Sequence, residues 1–256
     1  MGLMDGKRGI VLGVANEMSI AWGIARQLHA AGATLAFTYL NGALEKRVRP
    51  LAAQLGSPLI LPCDVASDEQ VSSTFDAVRQ AWGKLDFVVH SVAFANREDL
   101  KNPFHRTSRQ GFHLALDVSA YSLIAVTRCA APLMTDGGGI VTLSYLGAER
   151  VVPGYNIMGV AKAALEASVR YLAAELGERK IRVNAISAGP IRTLAASAVG
   201  DFKAKVKRMD DCAPLRRTVT QEEVGKSALY LLSDMSSGVT GEVHYVDGGF
   251  NIVAGA

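Results

Sequence analysis

Tyr155 and Lys162 are the two residues of this sequence whose types and spacing most directly suggest catalysis. They are seven positions apart, or about two turns of an α-helix, so a helix through both would present them on one face. The phenol of such a pair can hydrogen-bond a substrate oxygen that becomes anionic when a hydride arrives. The ammonium can bind ribose hydroxyls and lower the pKa of the phenol. Because a tyrosine and a lysine at this spacing are more often a surface pair, the interpretation depends on where the helix lies.

A turn containing glycine follows the first apolar run of the chain, Gly9–Val14. The turn reads Gly13-Val14-Ala15-Asn16-Glu17-Met18-Ser19-Ile20-Ala21-Trp22-Gly23 and departs from G-x-G-x-x-G, because Ala15 takes the second glycine's place and the third is displaced to Gly23. A tight turn there would still aim backbone N–H groups and the positive end of the next helix at a pyrophosphate. We expect Ser19 to cap that helix and to offer its hydroxyl to phosphate. For this loop alone, an ordinary strand-to-helix turn is an equal alternative.

The ends of three further apolar runs carry residues suited to a dinucleotide. Asp64 can accept a hydrogen bond from an adenine amino group, and the small residues of Ser91-Val92-Ala93 leave room for a cofactor against the backbone. The segment Thr38-Tyr39-Leu40-Asn41-Gly42 carries neither the acidic residue typical of many NAD enzymes nor the arginine that favours NADP. We therefore expect NADH as the cofactor, with NADPH less suitable. Taken singly, each of these ends is better explained as a polar strand end facing water.

The sequence supplies the elements that would bring these residues to one edge of a sheet. Runs without polar alternation are typical of strands buried on both faces of a parallel sheet, and they are Gly9–Val14, Thr34–Thr38, Leu59–Leu61, Phe87–His90, Ile140–Ser144, Arg182–Ile186 and Val243–Val246. Helix-length stretches alternate with them at Ile20–Ala31, Leu44–Leu55, Glu69–Ala81, Gly111–Leu133, Asn156–Glu178 and Gln221–Leu232. This alternation predicts right-handed βαβ units.

The predicted fold is therefore α/β: one domain over residues 1–256, with a Rossmann-type, doubly wound parallel sheet of about seven strands and helices on both faces. Gly32 is expected to end the first helix, Asp68 to cap the third and Thr220 to cap the last. The irregular segment 188–211, rich in small and charged residues, is expected to be a mobile substrate-binding lid.

A more specific pattern joins Tyr145, Tyr155 and Lys162. It is Tyr-x6-Lys with a second Tyr ten residues earlier, whereas the common Tyr-x3-Lys pattern would require Tyr at position 158, which is Met158. The turn at Gly13–Gly23 accompanies it, as do Ala188-Gly189-Pro190-Ile191-Arg192-Thr193-Leu194-Ala195-Ala196 and Val246-Asp247-Gly248-Gly249-Phe250. With these motifs the chain resembles, over nearly its whole length, the short-chain dehydrogenase/reductase superfamily. More narrowly, it is similar to the bacterial NADH-dependent enoyl-[acyl-carrier-protein] reductases of type II fatty acid synthesis.

This resemblance implies a reaction and a set of site residues. The reaction would be the NADH-dependent reduction of the trans-2 double bond of an enoyl thioester on acyl carrier protein, giving the saturated acyl thioester. Tyr155 would hold the enolate oxygen, Lys162 would position the cofactor, and Tyr145 would line the acyl pocket and assist. The implied cofactor-contact positions are Gly13, Ser19, Ile20, Leu40, Asp64, Val65, Val92, Lys162, Ile191, Thr193, Leu194 and Ala195, and the implied substrate-contact positions are Ala95, Tyr145 and Tyr155.

The resemblance also implies a homotetramer, with the apolar end Phe250–Ala256 suited to a subunit interface. Two positions depart from the family's pattern. Ala93 stands where relatives often have Gly, which narrows the pocket, and Leu40 stands where NADH-using relatives have Gln. The basic lid residues would either steer an acidic acyl carrier protein or simply form a solvated helix face; they are Lys203, Lys205, Lys207 and Arg208, opposed by Asp201.

Composition and spacing argue against several other classes of protein. The 256-residue chain has a formal net charge of +3, too small for the concentrated basic face of a nucleic-acid binder. The three cysteines and five histidines lack metal-ligand spacing, so no metal site is expected. Because we find neither a secretory leader nor an apolar run of about 18 residues, we expect a cytoplasmic protein without membrane insertion.

Two rival hypotheses remain at this point. The first is another reductase of the superfamily, acting on a ketone or an imine. The second is a cofactor-binding sensor without catalysis, which would keep the dinucleotide loop but would not need Tyr155 and Lys162. The presence of both residues disfavours the sensor.

Overall fold

A computed structural model of the chain describes residues 2–193 and 202–253. They include a seven-stranded sheet in the order β3-β2-β1-β4-β5-β6-β7, in which all neighbouring strands are parallel. The strands are β1 Arg8–Leu12, β2 Thr34–Tyr39, β3 Leu59–Pro62, β4 Phe87–His90, β5 Gly138–Ser144, β6 Ile181–Ala188 and β7 Val243–Val246. The strand order reverses between β1 and β4, which is where a doubly wound sheet binds ligands beyond the carboxyl ends of its strands. The predicted fold class is confirmed.

Helices cover both faces of this sheet. They are α1 Ile20–Ala30, α2 Gly42–Gln54, α3 Asp68–Trp82, α4 Arg97–Lys101, α5 Arg109–Leu116, α6 Ser122–Ala130, α7 Ile157–Leu176, α8 Phe202–Cys212 and α9 Gln221–Leu232. Successive strand residues point to opposite faces, so Val11 packs in the layer with α1, α2 and α9, while Ile10 packs in the layer with α3, α6 and α7. Burial on both faces explains why the strand sequences lack polar alternation.

Helices α1 and α9 pack closely through two glycines. A Cβ on Gly23 would lie 2.5 Å from the Gln221 carbonyl oxygen, and a Cβ on Gly225 would lie 2.7 Å from the Gly23 carbonyl oxygen. The displaced third glycine of the dinucleotide turn therefore serves contact between two helices, so a side chain at either position would force α1 and α9 apart.

Two of the three predicted helix boundaries are confirmed, and one is wrong. Thr220 caps α9 with a capping box that includes Glu223, and Gly32 follows α1 with φ 103, a conformation that glycine adopts without a steric penalty. At α3, however, Ser67 is the cap and accepts from the Gln70 amide, whereas Asp68 is the first helical residue. Asp68 instead places a negative charge in the first turn, where the helix dipole favours it.

The helix predicted at Gly111–Leu133 is interrupted. Helices α5 and α6 are joined by a π-helical turn at Asp117–Tyr121 and followed by a 3₁₀ turn at Ala131–Leu133. The whole stretch Arg109–Leu133 is long and apolar enough to cross a membrane, but 61% of its apolar window is buried inside the protein. A core helix has the same property, so the stretch is weak evidence of a membrane span.

The segment predicted to be irregular, 188–211, contains regular structure. Strand β6 extends to Ala188, and α8 occupies Phe202–Cys212. The stretch that forms α8 carries neither glycine nor proline, the residues that most strongly interrupt a helix. Its charged residues suggested a loop, yet Met209 on the same helix is 2% exposed, so one side of α8 packs on the protein.

Candidate active site

Tyr155 lies in a turn before α7 and is not part of the helix. The helix begins at Ile157, and its N-cap, Asn156, has φ 39 and ψ −120, which interrupts any helical path from Tyr155. Lys162 is within α7, as expected. The prediction that both residues share a face of one helix is therefore wrong for Tyr155, because the position of its side chain is set by the turn and not by helical periodicity.

The ring of Tyr155 is fixed by Tyr145 and Gly147. The two tyrosine rings pack edge to face, with centroids 4.8 Å apart and an interplanar angle of 67°, an arrangement favoured by the quadrupoles of aromatic rings. A Cβ on Gly147 would lie 2.4 Å from the Tyr155 Cδ1 atom. The Tyr155 ring therefore packs in space that is open only because residue 147 has no side chain. Sequence reasoning missed this role, for which the signal is a glycine two positions after Tyr145.

Lys162 is a buried cation at the carboxyl end of β5. Its side chain is 5% exposed, and its Nζ donates a hydrogen bond of 2.7 Å to the Leu143 carbonyl oxygen. Burial lowers the pKa of Lys162 to about 8, while the carboxylate of Glu166 acts in the opposite direction. Glu166, one turn further along α7, is itself buried and accepts a hydrogen bond from the Ser144 hydroxyl. Burial raises the pKa of this carboxyl group.

The phenol of Tyr155 is held in its neutral form. Burial raises its pKa well above the ordinary tyrosine value, and Tyr145 adds to the increase. The expectation that Lys162 lowers this pKa is wrong, because removal of the phenol from water is the largest cause acting on it and opposes the phenolate. At neutral pH Tyr155 therefore presents an O–H donor to whatever oxygen lies beside it.

The charge on Lys162 predicts a pH dependence for ligand binding. Since its pKa in the folded chain is about 8, the protonated fraction falls as pH rises through that value, well below the ordinary lysine pKa. We expect the affinity for NADH to fall over the same range, measured as the Kd from quenching of tryptophan fluorescence. A Lys162→Met variant, which has no charge to lose, is expected to lack this decrease. An affinity in the unmodified chain that stayed constant until the pH at which an exposed lysine titrates would contradict the role given to Lys162.

The turn after β1 lies at the switch point of the sheet, next to the end of β4. Gly13 has φ 101, and a Cβ on it would lie 1.9 Å from the Ser91 carbonyl oxygen beyond β4. Only glycine therefore lets the two strand ends approach this closely. Ser19 is the N-cap residue of α1, as predicted, but its hydroxyl makes no hydrogen bond to the helix and instead accepts from the amides of Ala15 and Asn16 at 3.0 and 3.1 Å. The positive end of α1 still lies at the switch point, where it suits a pyrophosphate.

The other predicted cofactor positions lie along the same edge of the sheet. Each follows the carboxyl end of a strand or begins α1, and the described ones are Ile20, Leu40, Asp64, Val65, Val92, Ile191 and Thr193. Leu40 is 50% exposed beyond β2 and Val65 is 7% exposed. Asp64 uses its Oδ1 to accept from the Ala66 amide at 3.0 Å, which ties its carboxylate to its own turn. Leu194 and Ala195 lie outside the described residues.

The predicted substrate residues contact an apolar cluster and a cavity. Ala95 and Tyr155 pack against a small apolar cluster of Leu100, Ala115, Ile157 and Met158. Tyr145 lines a cavity of about 340 Å³ together with Pro153, Ser187–Pro190, Met209 and Phe250. The structure therefore brings Ala95 and Tyr155 together, while Tyr145 also contacts a separate, mostly apolar cavity that includes residues of α8.

His90 is a buried residue beside the site whose role sequence reasoning missed. Its ring is 0% exposed; Nδ1 is 2.9 Å from the Thr142 hydroxyl and Nε2 is 2.8 Å from the Ser122 hydroxyl. Burial, followed by the nearby charge of Lys162, lowers the pKa of His90 to about 3. A neutral His90 thus joins β4 to β5 and α6 directly behind the turn that carries Val92. Its signal in the sequence is a histidine at the end of an otherwise apolar strand.

Residues 2–193 and 202–253 contain no group of three or more His, Cys, Asp or Glu side chains that could hold a metal ion.

Residues 13–251 match the family model described as enoyl-(acyl carrier protein) reductase. The chain belongs to this family. The enoyl-[acyl-carrier-protein] reductase [NADH] FabI of Nostoc is 59% identical over 98% of this chain and 98% of its own length.

Solved structures of the family agree with the fold. The enoyl-acyl carrier protein reductase of Bacillus cereus, crystallised with NADP+ and indole naphthyridinone, has a TM-score of 0.98 at 57% identity and covers 99% of this chain and 100% of its own. The enoyl-(acyl-carrier-protein) reductase of Anaplasma phagocytophilum, crystallised with NAD, has a TM-score of 0.94 at 50% identity and covers 99% of this chain and 95% of its own.

Proposed function

We propose that this chain is an NADH-dependent enoyl-[acyl-carrier-protein] reductase of type II fatty acid synthesis. One observation carries the proposal: the Tyr145–Tyr155 ring pair and the buried Lys162 ammonium on the Leu143 carbonyl both lie at the carboxyl end of β5, which neighbours β4 at the switch point of the sheet. Membership of the enoyl reductase family and the names of its relatives support the same function. The keto- or imine-reductase and the sensor are the alternatives to it.

In this proposal, NADH would supply, when bound, the hydride that adds to the β-carbon of a trans-2-enoyl thioester. The O–H of Tyr155 donates a hydrogen bond to the thioester oxygen as negative charge develops on it, and its raised pKa keeps the proton on the phenol. Lys162 would bind the ribose hydroxyls and so fix the cofactor's position. Tyr145 lines the acyl pocket and supports the ring of Tyr155. A proton from solvent, added at the α-carbon, completes the saturated acyl thioester and leaves the phenol of Tyr155 protonated.

The preference for NADH is supported by the end of β2. The segment Thr38–Gly42 carries no cation, and the nearest ones along the chain, Lys46 and Arg47, are exposed on α2. A 2′-phosphate there would lack the arginine that NADP enzymes commonly provide. The family relatives named as NADH enzymes agree with this preference.

Steady-state kinetics with two substrates and two cofactors test the proposal. We expect oxidation of NADH in the presence of crotonyl thioester, with a lower kcat/KM for NADPH and little turnover of acetoacetyl thioester. The decrease in absorbance of the reduced nicotinamide measures all four combinations. Turnover of acetoacetyl thioester alone would favour the keto reductase, and NADH binding without turnover of either thioester would favour the sensor.

The segment 188–211 is proposed to act as a substrate-binding lid of a single domain, 1–256, and to meet the acyl carrier protein. Met209 and Ala204 of α8 line the cavity beside Tyr145, which supports a role near the acyl chain. Lys207 and Arg208 are exposed on the same helix, so they lie where an acidic carrier could be steered. Asp201 and the side chains of Lys203 and Lys205 lie outside the described part.

We further propose a cytoplasmic homotetramer that binds neither nucleic acid nor membrane. Large apolar side chains are exposed on and next to the packed helices α5, α6 and α7, which supports burial against a second copy of the chain; they are Phe112, Tyr121, Ile124, Val160 and Tyr171. At the C-terminal end, Ile252 is 75% exposed, and residues 254–256 lie outside the described part. The mass in solution, by sedimentation or light scattering, tests the tetramer.

A further inference from the structure

Asn156 occupies a backbone conformation that costs free energy. Its φ of 39 and ψ of −120 lie in a region that residues with a Cβ rarely adopt, and such strain persists only where neighbouring contacts enforce it. The residue stands between Tyr155 and the first residue of α7. The unusual φ therefore sets the direction of the chain on which the Tyr155 ring depends.

The side chain of Asn156 supplies the contacts that hold this conformation. Its Nδ2 donates to the Leu100 carbonyl oxygen at 3.0 Å and to the Asn102 carbonyl oxygen at 2.8 Å. Both carbonyls belong to the end of α4, more than fifty residues earlier in the chain. We call these two hydrogen bonds the Asn156 clasp.

The clasp lies against the substrate side of the site. Leu100 of α4 packs with Ile157 and Met158 of α7 in the cluster that also contacts Ala95 and Tyr155. At the other end of the same segment, the Ser119 hydroxyl accepts from the Phe94 amide at 3.0 Å and donates to the Phe94 carbonyl oxygen at 3.1 Å. The segment 94–102 is thus fixed at both ends, at one end by Ser119 and at the other by Asn156.

We propose that Asn156 is a positioning residue, which fixes the Tyr155 phenol against the substrate wall formed by Ala95 and α4. Through its backbone it directs the turn that carries Tyr155, and through its amide it holds the wall at a constant distance from that turn. The expected effect of Asn156 on kcat rests on the proposed function. The hydrogen bonds that join Asn156 to the end of α4 do not depend on it.

Two variants separate the clasp from the backbone strain. Asn156→Asp removes both N–H donors with little change in size and sets a carboxylate against two carbonyls; Asn156→Gly also removes the clasp but adopts the positive φ without strain. We expect kcat for crotonyl thioester to fall about tenfold in both variants, because small displacements of a reacting group are costly, while the Kd for NADH changes by less than about twofold. In Asn156→Gly the thermal midpoint is expected to hold or rise even as kcat falls.

Lys180→Gly is the matched control. Lys180 has φ 57 and ψ 24 directly before β6, at the edge of the sheet opposite the site, so this change removes another positive-φ side chain far from Tyr155. It is expected to leave kcat unaltered. If Asn156→Asp does not fold, Asn156→Gly still decides the question. A kcat within about twofold of the unmodified chain in Asn156→Gly would overturn the positioning role.

Amide hydrogen exchange tests the clasp without reference to activity. We expect residues Arg97–Asn102 to exchange faster in Asn156→Gly than in the unmodified chain, and residues of α9 to exchange at an unchanged rate. Unchanged exchange at Arg97–Asn102 would overturn the clasp. Failure of the unmodified chain to reduce any enoyl thioester would instead overturn the proposed function, so the two failures are distinguishable.

Discussion

Replacement of Tyr155 by Phe is expected to lower kcat for crotonyl thioester by about 10²- to 10³-fold, the loss typical of removing one donor to a developing oxyanion. The change removes only the phenol oxygen. A phenylalanine ring can keep the edge-to-face contact with Tyr145 and the close packing against Gly147. The Kd for NADH and the thermal midpoint should therefore be nearly unaltered. Steady-state kinetics and a fluorescence titration with NADH, performed on the same preparation, measure both quantities.

Tyr145→Phe is the matched control for this prediction. It removes the corresponding hydroxyl oxygen from Tyr145. The Tyr145 ring has its centroid 4.8 Å from that of Tyr155 and lines the apolar cavity. If the reacting oxygen lies beside Tyr155, loss of the Tyr145 hydroxyl should cost far less in kcat than loss of the Tyr155 hydroxyl. A Tyr145→Phe variant that lost as much kcat as Tyr155→Phe would show that the donor had been assigned to the wrong phenol.

The sheet was predictable from the sequence because its strands are buried on both faces. Ile10 and Val11 are adjacent yet pack in different apolar layers, and such strands leave continuous apolar runs that local patterns reveal. Once the strands are parallel, every strand end lies at the same edge, so Gly13, Asp64 and Val92 could be placed near one another without knowledge of any side-chain contact. A predicted strand that ends a residue or two away from the observed end still places its last residues at this edge of the sheet.

The turn at Tyr155 was not predictable in the same way. The residues from Asn156 to Lys162 have no helix breaker other than Gly159, so local pattern favours a helix that includes position 156. The observed conformation depends on carbonyl groups of α4 that are distant in sequence, and no local propensity encodes them. The pKa of Tyr155 was misjudged for a related reason, since burial of the phenol depends on packing around Gly147 and Tyr145.

Replacement of Lys162 by Met is expected to weaken NADH binding by about 10- to 100-fold, since hydrogen bonds from a charged donor contribute about 1.5–3 kcal/mol. Methionine has nearly the length of lysine and can fill the same buried space beside the Leu143 carbonyl. The loss should therefore come from the missing charge and not from a cavity. Fluorescence titration with NADH gives the Kd, and kcat at saturating NADH shows how much of the effect is confined to binding.

The stability of the same variant distinguishes a functional cation from a structural one. A buried ammonium carries a desolvation penalty, which in this chain appears as the lowered pKa of Lys162. If the role of Lys162 is to bind the cofactor, Lys162→Met should bind NADH weakly and yet unfold at the same or a higher temperature. Lys226→Met, which removes an exposed lysine paired with Glu222 on α9, should change neither quantity. A large loss of thermal stability in Lys162→Met with an unchanged Kd for NADH would mean that the ammonium supports β5 and does not bind the cofactor.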